Sequence, residues 1–200
     1  MDGSLGWPLR MGAGGFVSES PATESSADGA LVAAARSGDR TAFGQLYTRY
    51  SRMVHGLLLA RVPLGDVDDL VQDVFLLALR RLSTLRDVAA FGGWLAMIAR
   101  NRARDYYRRA PQRKETELAD DFEGAPIQSN ESDAEAHAAL AMIRLLPEAY
   151  RETLLLRLVE GMTGPEIAAR TGLTPGSVRV NLHRGIKQLR ELLAKKEVRS

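Results

Sequence analysis

Residues Thr163 to Leu193 read TGPEIAARTGLTPGSVRVNLHRGIKQLRELL, and their spacing decides the fold. Just upstream, Leu154, Leu155, Leu158 and Val159 recur at helical intervals, and Gly161 closes that helix. A short helix follows with Ile167, Ala168 and Thr171 on one side, and Gly172 supplies a tight turn. Thr174 is an N-cap and Pro175 stands at the first helical position, where proline is tolerated. From there Val178, Leu182, Ile186, Leu189 and Leu193 step by three or four residues and make one apolar face. The other side carries Arg179, Asn181, His183, Arg184, Lys187 and Arg190. A short helix, a glycine turn and a second helix with arginine, asparagine and lysine outward predict a helix-turn-helix that reads duplex DNA in the major groove. An ordinary basic surface helix on a bundle is the competing reading.

Charge is segregated along the chain, although the net is only +2 over 200 residues. Arg100 to Lys114 holds seven Lys/Arg against one acid, and Thr174 to Ser200 seven against two. Glu115 to Glu135 holds eight acids and no Lys or Arg. Two cationic segments around an acidic one predict two contacts with a polyanion and a tether that avoids it. Apolar residues make up 45% of the sequence, enough for a core. The absence of cysteine excludes disulfides and thiolate metal sites, and His55, His137 and His183 form no metal-binding motif. No cofactor is expected. Without an apolar run of membrane-span length or a signal-peptide core, a soluble cytoplasmic protein is expected, with no membrane insertion.

Periodicity is helical throughout, so the fold class is all-α: two small helical domains joined by a flexible acidic linker. Residues 1–27, with five Gly, five Ser and two Pro, read as a disordered tail. Residues 28–112 form the first domain, with Asp28 and Asp39 as helix caps and Phe43, Leu46, Tyr47, Tyr50, Val54, Leu57 and Leu58 on one side of its second helix. Its third helix starts near Val67, with Leu70, Val71, Val74, Leu77 and Ala78 inward and Asp68, Asp69, Gln72 and Asp73 outward. Its fourth runs from about Ala90 to Arg109 and stops before Pro111. Residues 113–134 are the linker and 135–200 the second domain. With about 25 flexible residues between them, the two need not touch.

The fourth helix interleaves Trp94, Arg100, Asn101, Arg104, Asp105, Tyr106, Tyr107, Arg108 and Arg109. Cations for phosphates, aromatic faces for stacking and an amide for an exposed base edge suit single-stranded nucleic acid. A basic helix end that favours its own dipole, with Trp94 in the core, is the plainer alternative.

Five strings in order resemble the extracytoplasmic-function (ECF) sigma factors of bacterial RNA polymerase over residues 28–193. They are Asp68–Phe75 (DDLVQDVF), Trp94–Asn101 (WLAMIARN), Leu146–Arg151 (LPEAYR), Glu166–Ala168 and Gly176–Arg179 with Leu182–Arg184. The resemblance implies a first domain (domain 2) that binds the β′ clamp helices of core polymerase through Asp69, Leu70, Gln72, Asp73 and Phe75. It implies melting of the −10 element, with Asn101 and Asp105 on an extruded base, Trp94 and Tyr106 beside it, and Arg100, Arg104, Arg108 and Arg109 on phosphates. The second domain (domain 4) would read the −35 element through Arg179, Asn181, His183, Arg184 and Lys187. The linker would pass near the polymerase channel. Core RNA polymerase (β′ and β), promoter DNA and an anti-sigma factor are the implied partners, and no catalysis is expected. Gly185 stands where the family usually has alanine; glycine within a helix costs about 0.5–1 kcal/mol, so a close approach of backbone to DNA is expected there. Asn181 and Gly164-Pro165 also depart from the family pattern. The alternative to a sigma factor is a stand-alone helix-turn-helix regulator of duplex DNA.

Overall fold

The computed structural model describes residues 21–109 and 131–197. Among them are eight α-helices and no strand. The first domain comprises α1 (Pro21–Arg36), α2 (Arg40–Leu59), α3 (Val67–Arg81) and α4 (Phe91–Arg109). The second comprises α5 (Glu131–Arg144), α6 (Glu148–Leu158), α7 (Gly164–Thr171) and α8 (Pro175–Glu197). Residues 113–130 of the predicted linker (113–134) and 1–20 of the predicted tail (1–27) lie outside the described residues.

Helix α2 is the axis of the first domain and packs on α1, α3 and α4. Asp39 starts it by accepting from the Thr41 and Ala42 amides at 2.8 and 3.1 Å. Gly38, at φ 95°, lets the chain reverse just before that cap. Leu46, Met53 and Leu57 of α2 meet Val74 of α3 and Phe91 and Leu95 of α4 in a fully buried core. Tyr47 departs from the expected apolar face and is partly exposed, its ring tilted on Phe75.

Helix α1 begins at Pro21, seven residues before the predicted start, so part of the expected tail is helical. Proline suits a first turn, and Ala27 and Ala30 to Ala35 are mostly good helix formers. Asp28 is therefore not a cap. It lies buried within α1, bonded to the Arg49 guanidinium and the Tyr50 hydroxyl. Burial first, then the bond to that carboxylate, pushes the Tyr50 phenol up.

In the second domain the helix-turn-helix forms as read. Thr163 and Glu166 make a reciprocal capping box at the start of α7, with Thr163 N donating to Glu166 Oε2 at 2.7 Å. Gly172 takes φ 75° after α7, and the Thr174 hydroxyl accepts from the Ser177 amide at 3.1 Å to start α8. Leu154, Leu155 and Leu156 are buried, but Leu158 and Val159 are about half exposed because α6 ends there and Gly161 turns the chain at φ 66°. Gly185 is a correction of another kind. A Cβ there would lie 3.0 Å from Leu154 Cδ1 and 3.2 Å from Tyr150 Cβ. The glycine lets α8 seat closely on α6 and faces the core, away from any DNA surface.

Candidate nucleic-acid interface

On α4 the positions of Trp94, Asn101, Arg104, Asp105 and Arg108 differ by three, four and seven residues, which puts them on one face. Asn101, Arg104 and Arg108 are exposed, Asp105 and Trp94 half-buried. Arg104 donates to Asn101 Oδ1 at 3.2 Å, and Arg108 lies 3.2 Å from Asp105. Carboxylate, amide and cation thus alternate along the exposed stripe. Met97, 49% exposed, sits in the middle of it. Sequence reasoning passed over Met97, although its place three residues after Trp94 and four before Asn101 marks it. Arg109 is the last residue of α4.

Three expected members fall off this face. Tyr106 packs edge-on against Tyr107 (centroids 5.1 Å apart) and donates to Asp66 at 2.7 Å. Tyr107 donates to the Arg61 carbonyl at 2.9 Å. The adjacent tyrosines tie α4 to the end of α2 and to the turn before α3, because their bearing is more than a quarter-turn from Asn101. Arg100 likewise points elsewhere, into the contact between the domains described below.

On α8, Arg179, His183, Arg184, Lys187 and Arg190 are exposed on one side, while Val178 is buried and Leu182, Ile186 and Leu189 are half-buried on the other. Asn181 is half-buried at the margin. The cations project from a helix that packs on α5, α6 and α7, an arrangement suited to groove entry.

On α3, Asp68, Asp69 and Gln72 are exposed. Asp73 is half-buried and paired with Arg102 of α4. Leu70 and Phe75, expected as apolar anchors of a docking surface, are core residues at 5% and 3% exposure. Phe75 packs on Phe43 and Tyr47, and Leu70 lies four residues before Val74 on the buried face. The apolar residues this helix does present are Leu76 and Leu79, at 53% and 45% exposure.

The two domains, expected to be free of each other, are in contact through α2 and α4 on one side and α6 and α7 on the other. Glu152 of α6 is buried between Arg61 (Nη2 at 2.6 Å) and Arg100 (Nη2 at 2.5 Å). Arg61 also meets Glu148 at 2.7 Å. Glu160 is buried beside His55 of α2, with 2.6 Å between its Oε1 and Nδ1. Arg144 donates to the Leu59 and Val62 carbonyls at the end of α2, and Arg170 donates to the Arg49 carbonyl with its guanidinium 6.0 Å from the Tyr50 ring centroid. These charge pairs and helix-end carbonyls find their protein partners only when the domains meet.

Burial alone would raise the Glu152 carboxyl, but the bonds and charges of Arg100 and Arg61 outweigh it and hold it below the usual carboxylate range. The hydrogen bond to Glu160 raises the His55 imidazole, opposed by burial and aided by the charges of Glu160 and Asp68. Docking therefore tightens the hold of His55 on its proton. That contribution is complete below the ordinary histidine value of 6.5 and is lost as pH rises through the higher docked value. Glu152 acts in the opposite sense: its contribution is present above the ordinary 4.5 and fades as pH falls through the lowered docked value. Domain contact is expected to be firmest between these two values and to loosen as pH rises beyond the ordinary histidine value of 6.5, as small-angle scattering across pH 5–9 will register. A radius of gyration constant over that range would contradict it.

Among the described residues no group of three or more His, Cys, Asp or Glu is arranged to hold a metal, and no helix is long and apolar enough to cross a membrane.

Residues 46–113 match the model of sigma-70 region 2, and residues 136–189 that of sigma-70 region 4. RNA polymerase sigma factor CarQ of Myxococcus xanthus is 35% identical over 170 residues, which cover 82% of this chain and 95% of CarQ. The ECF RNA polymerase sigma-E factor of Escherichia coli (strain K12) is 34% identical over 175 residues, covering 81% of this chain and 92% of that protein. Among solved structures, that of CnrH in complex with the cytosolic domain of CnrY aligns at a TM-score of 0.59 and 31% identity. The alignment covers 84% of this chain and 98% of the matched one.

Proposed function

The chain belongs to the extracytoplasmic-function RNA polymerase sigma factors, which direct promoter-specific transcription initiation, and from that premise we propose how its surfaces divide the work. Residues 28–112 act as domain 2 and residues 135–200 as domain 4, with 113–134 as the acidic connector. The exposed face of α3, now read as Asp68, Asp69 and Gln72 with Leu76 and Leu79, docks on the β′ clamp helices. Acids there meet basic partners, and the two leucines supply the apolar area that Leu70 and Phe75 do not. Asn101 and Asp105 on α4 receive a base extruded from the melted −10 strand, with Trp94 and Met97 beside it and Arg104 and Arg108 on phosphates. Arg100, once released from Glu152, and Arg109 extend that phosphate track. Arg179, His183, Arg184 and Lys187 of α8 enter the −35 major groove, with Asn181 at its edge.

The observation that carries this reading is the α4 face: an exposed amide (Asn101) and two exposed arginines (Arg104 and Arg108), with the half-buried carboxylate of Asp105 and the half-buried ring of Trp94 at its margin. A regulator of duplex DNA alone has no use for it. An anti-sigma factor as a further partner is supported by CnrH having been solved with the cytosolic domain of CnrY. The location of the protein follows from that of the polymerase, in the cytoplasm.

Asn101→Ala is expected to lower open-complex formation about tenfold or more while leaving closed, duplex promoter binding within about twofold; one lost base-reading contact is worth about 1–3 kcal/mol. Permanganate footprinting beside a mobility-shift titration checks this. Equal losses in both assays would argue against capture of the separated strand.

A further inference from the structure

An apolar side chain interrupts the cationic face of α8. Val180 is 44% exposed, between Arg179 and Asn181 and one turn before His183 and Arg184. It stands two residues after the buried Val178 and two before the half-buried Leu182, which on a helix is about 200° from each. Its side chain therefore points directly away from the core of the second domain, whereas Arg179 and Asn181 flank it toward the margins. Along the same line lie Gly176, four residues before, Arg184, four after, and Lys187, seven after, all exposed.

Gly176 is a second observation at the same place. It is the second residue of α8, and apart from its chain neighbours a Cβ there would meet nothing nearer than Thr174 Oγ1 at 4.0 Å. Unlike Gly185, which Leu154 and Tyr150 crowd, it serves no packing within the chain, and its φ is not positive. What it leaves is bare helix surface beside Val180. The start of α8 is held in place by Thr174, whose hydroxyl accepts from the Ser177 amide at 3.1 Å and lies 2.8 Å from the Ser177 hydroxyl. Valine is branched at Cβ and strongly prefers one rotamer in a helix, so its methyl groups are presented in a fixed position.

Donors and acceptors make up most of the base edges in the major groove, and the C5 methyl of thymine is the apolar exception. We propose that Val180 reads a thymine methyl in the −35 element, that Gly176 opens the space for that base edge, and that Arg184, one turn on, contacts a neighbouring base pair. The proposal rests on the reading of α8 as the −35 helix and deepens it. Val180, which a search for charged and amide side chains passes over, becomes the residue that selects thymine at one position.

Holoenzyme assembled from core polymerase and the full-length chain is titrated with a promoter fragment that it transcribes. It is then titrated with fragments in which each thymine of the −35 motif, on either strand, is replaced in turn by deoxyuridine, which pairs as thymine does and lacks only the methyl. At one position the replacement is expected to weaken wild-type binding about fourfold, the value of one buried apolar carbon. Val180→Ala, an outward change to a stronger helix former, is expected to weaken binding to the thymine fragment by a similar factor and to make the same replacement neutral. Replacements that cost nothing in wild type, or cost as much in Val180→Ala, would overturn the proposal, as would a −35 motif with no thymine on either strand. Scrambling the whole motif separates the two levels. A loss on scrambling with no effect of deoxyuridine leaves the −35 reading standing and removes Val180 from it, whereas unchanged binding on scrambling removes both.

Discussion

Phe91→Ala is expected to remove about 3–5 kcal/mol from the stability of the first domain, the upper range for truncating one buried side chain. Phe91 is fully buried at the start of α4, with its ring edge-on to Tyr50 at 5.1 Å and tilted on Trp94 at 5.9 Å. Those neighbours cannot collapse into the space, because Tyr50 is held by Asp28 and the next residue, Gly92, lies under the Arg170 carbonyl. The cavity therefore persists, and its cost adds to the lost transfer energy. Urea unfolding followed through tryptophan fluorescence measures it. A loss under about 1 kcal/mol would mean that Phe91 is not the keystone between α2 and α4.

Arg184→Ala is expected to weaken binding to the cognate −35 duplex by about 1–3 kcal/mol and to relax discrimination at one base position. Arg184 is exposed on α8, on the side away from Val178 and Leu182, where a bidentate contact with guanine is sterically open. Lys187→Ala offers the contrast: a uniform loss across sequences and a salt slope smaller by about one. Titrations against the cognate site and base-substituted sites at two salt concentrations separate the outcomes. Unchanged affinity of the arginine variant for every duplex would remove Arg184 from the recognition face.

The helix-turn-helix was readable because each of its devices is local. The Thr174 cap, the Gly172 turn and the three-four spacing from Val178 act over a few residues, and local chemistry survives in the fold. The α4 stripe was readable for the same reason, through residues seven apart. What escaped were assignments that depend on a partner from elsewhere in the chain. Asp28 has the composition of a cap, but Arg49 and Tyr50, more than twenty residues on, draw it into a helix interior. Leu70 and Phe75 have the composition of anchors but complete the core between α2 and α3. Gly185 looks like a weak point in its helix until Leu154 is seen against it. The contact between domains was hidden most completely, since no periodicity in one segment reveals that Glu152 meets Arg61 and Arg100 across 91 and 52 residues of sequence.

On the reading proposed above, two cationic helical faces on one chain bring RNA polymerase to a promoter and hold its opened strand. Mapping transcript 5′ ends from core polymerase, with and without the purified full-length chain, on a library of genomic DNA tests it most directly. A discrete set of starts is expected that appear only with the chain, share two upstream motifs and are lost with Asn101→Ala and Arg184→Ala. The same starts with and without the chain would contradict it.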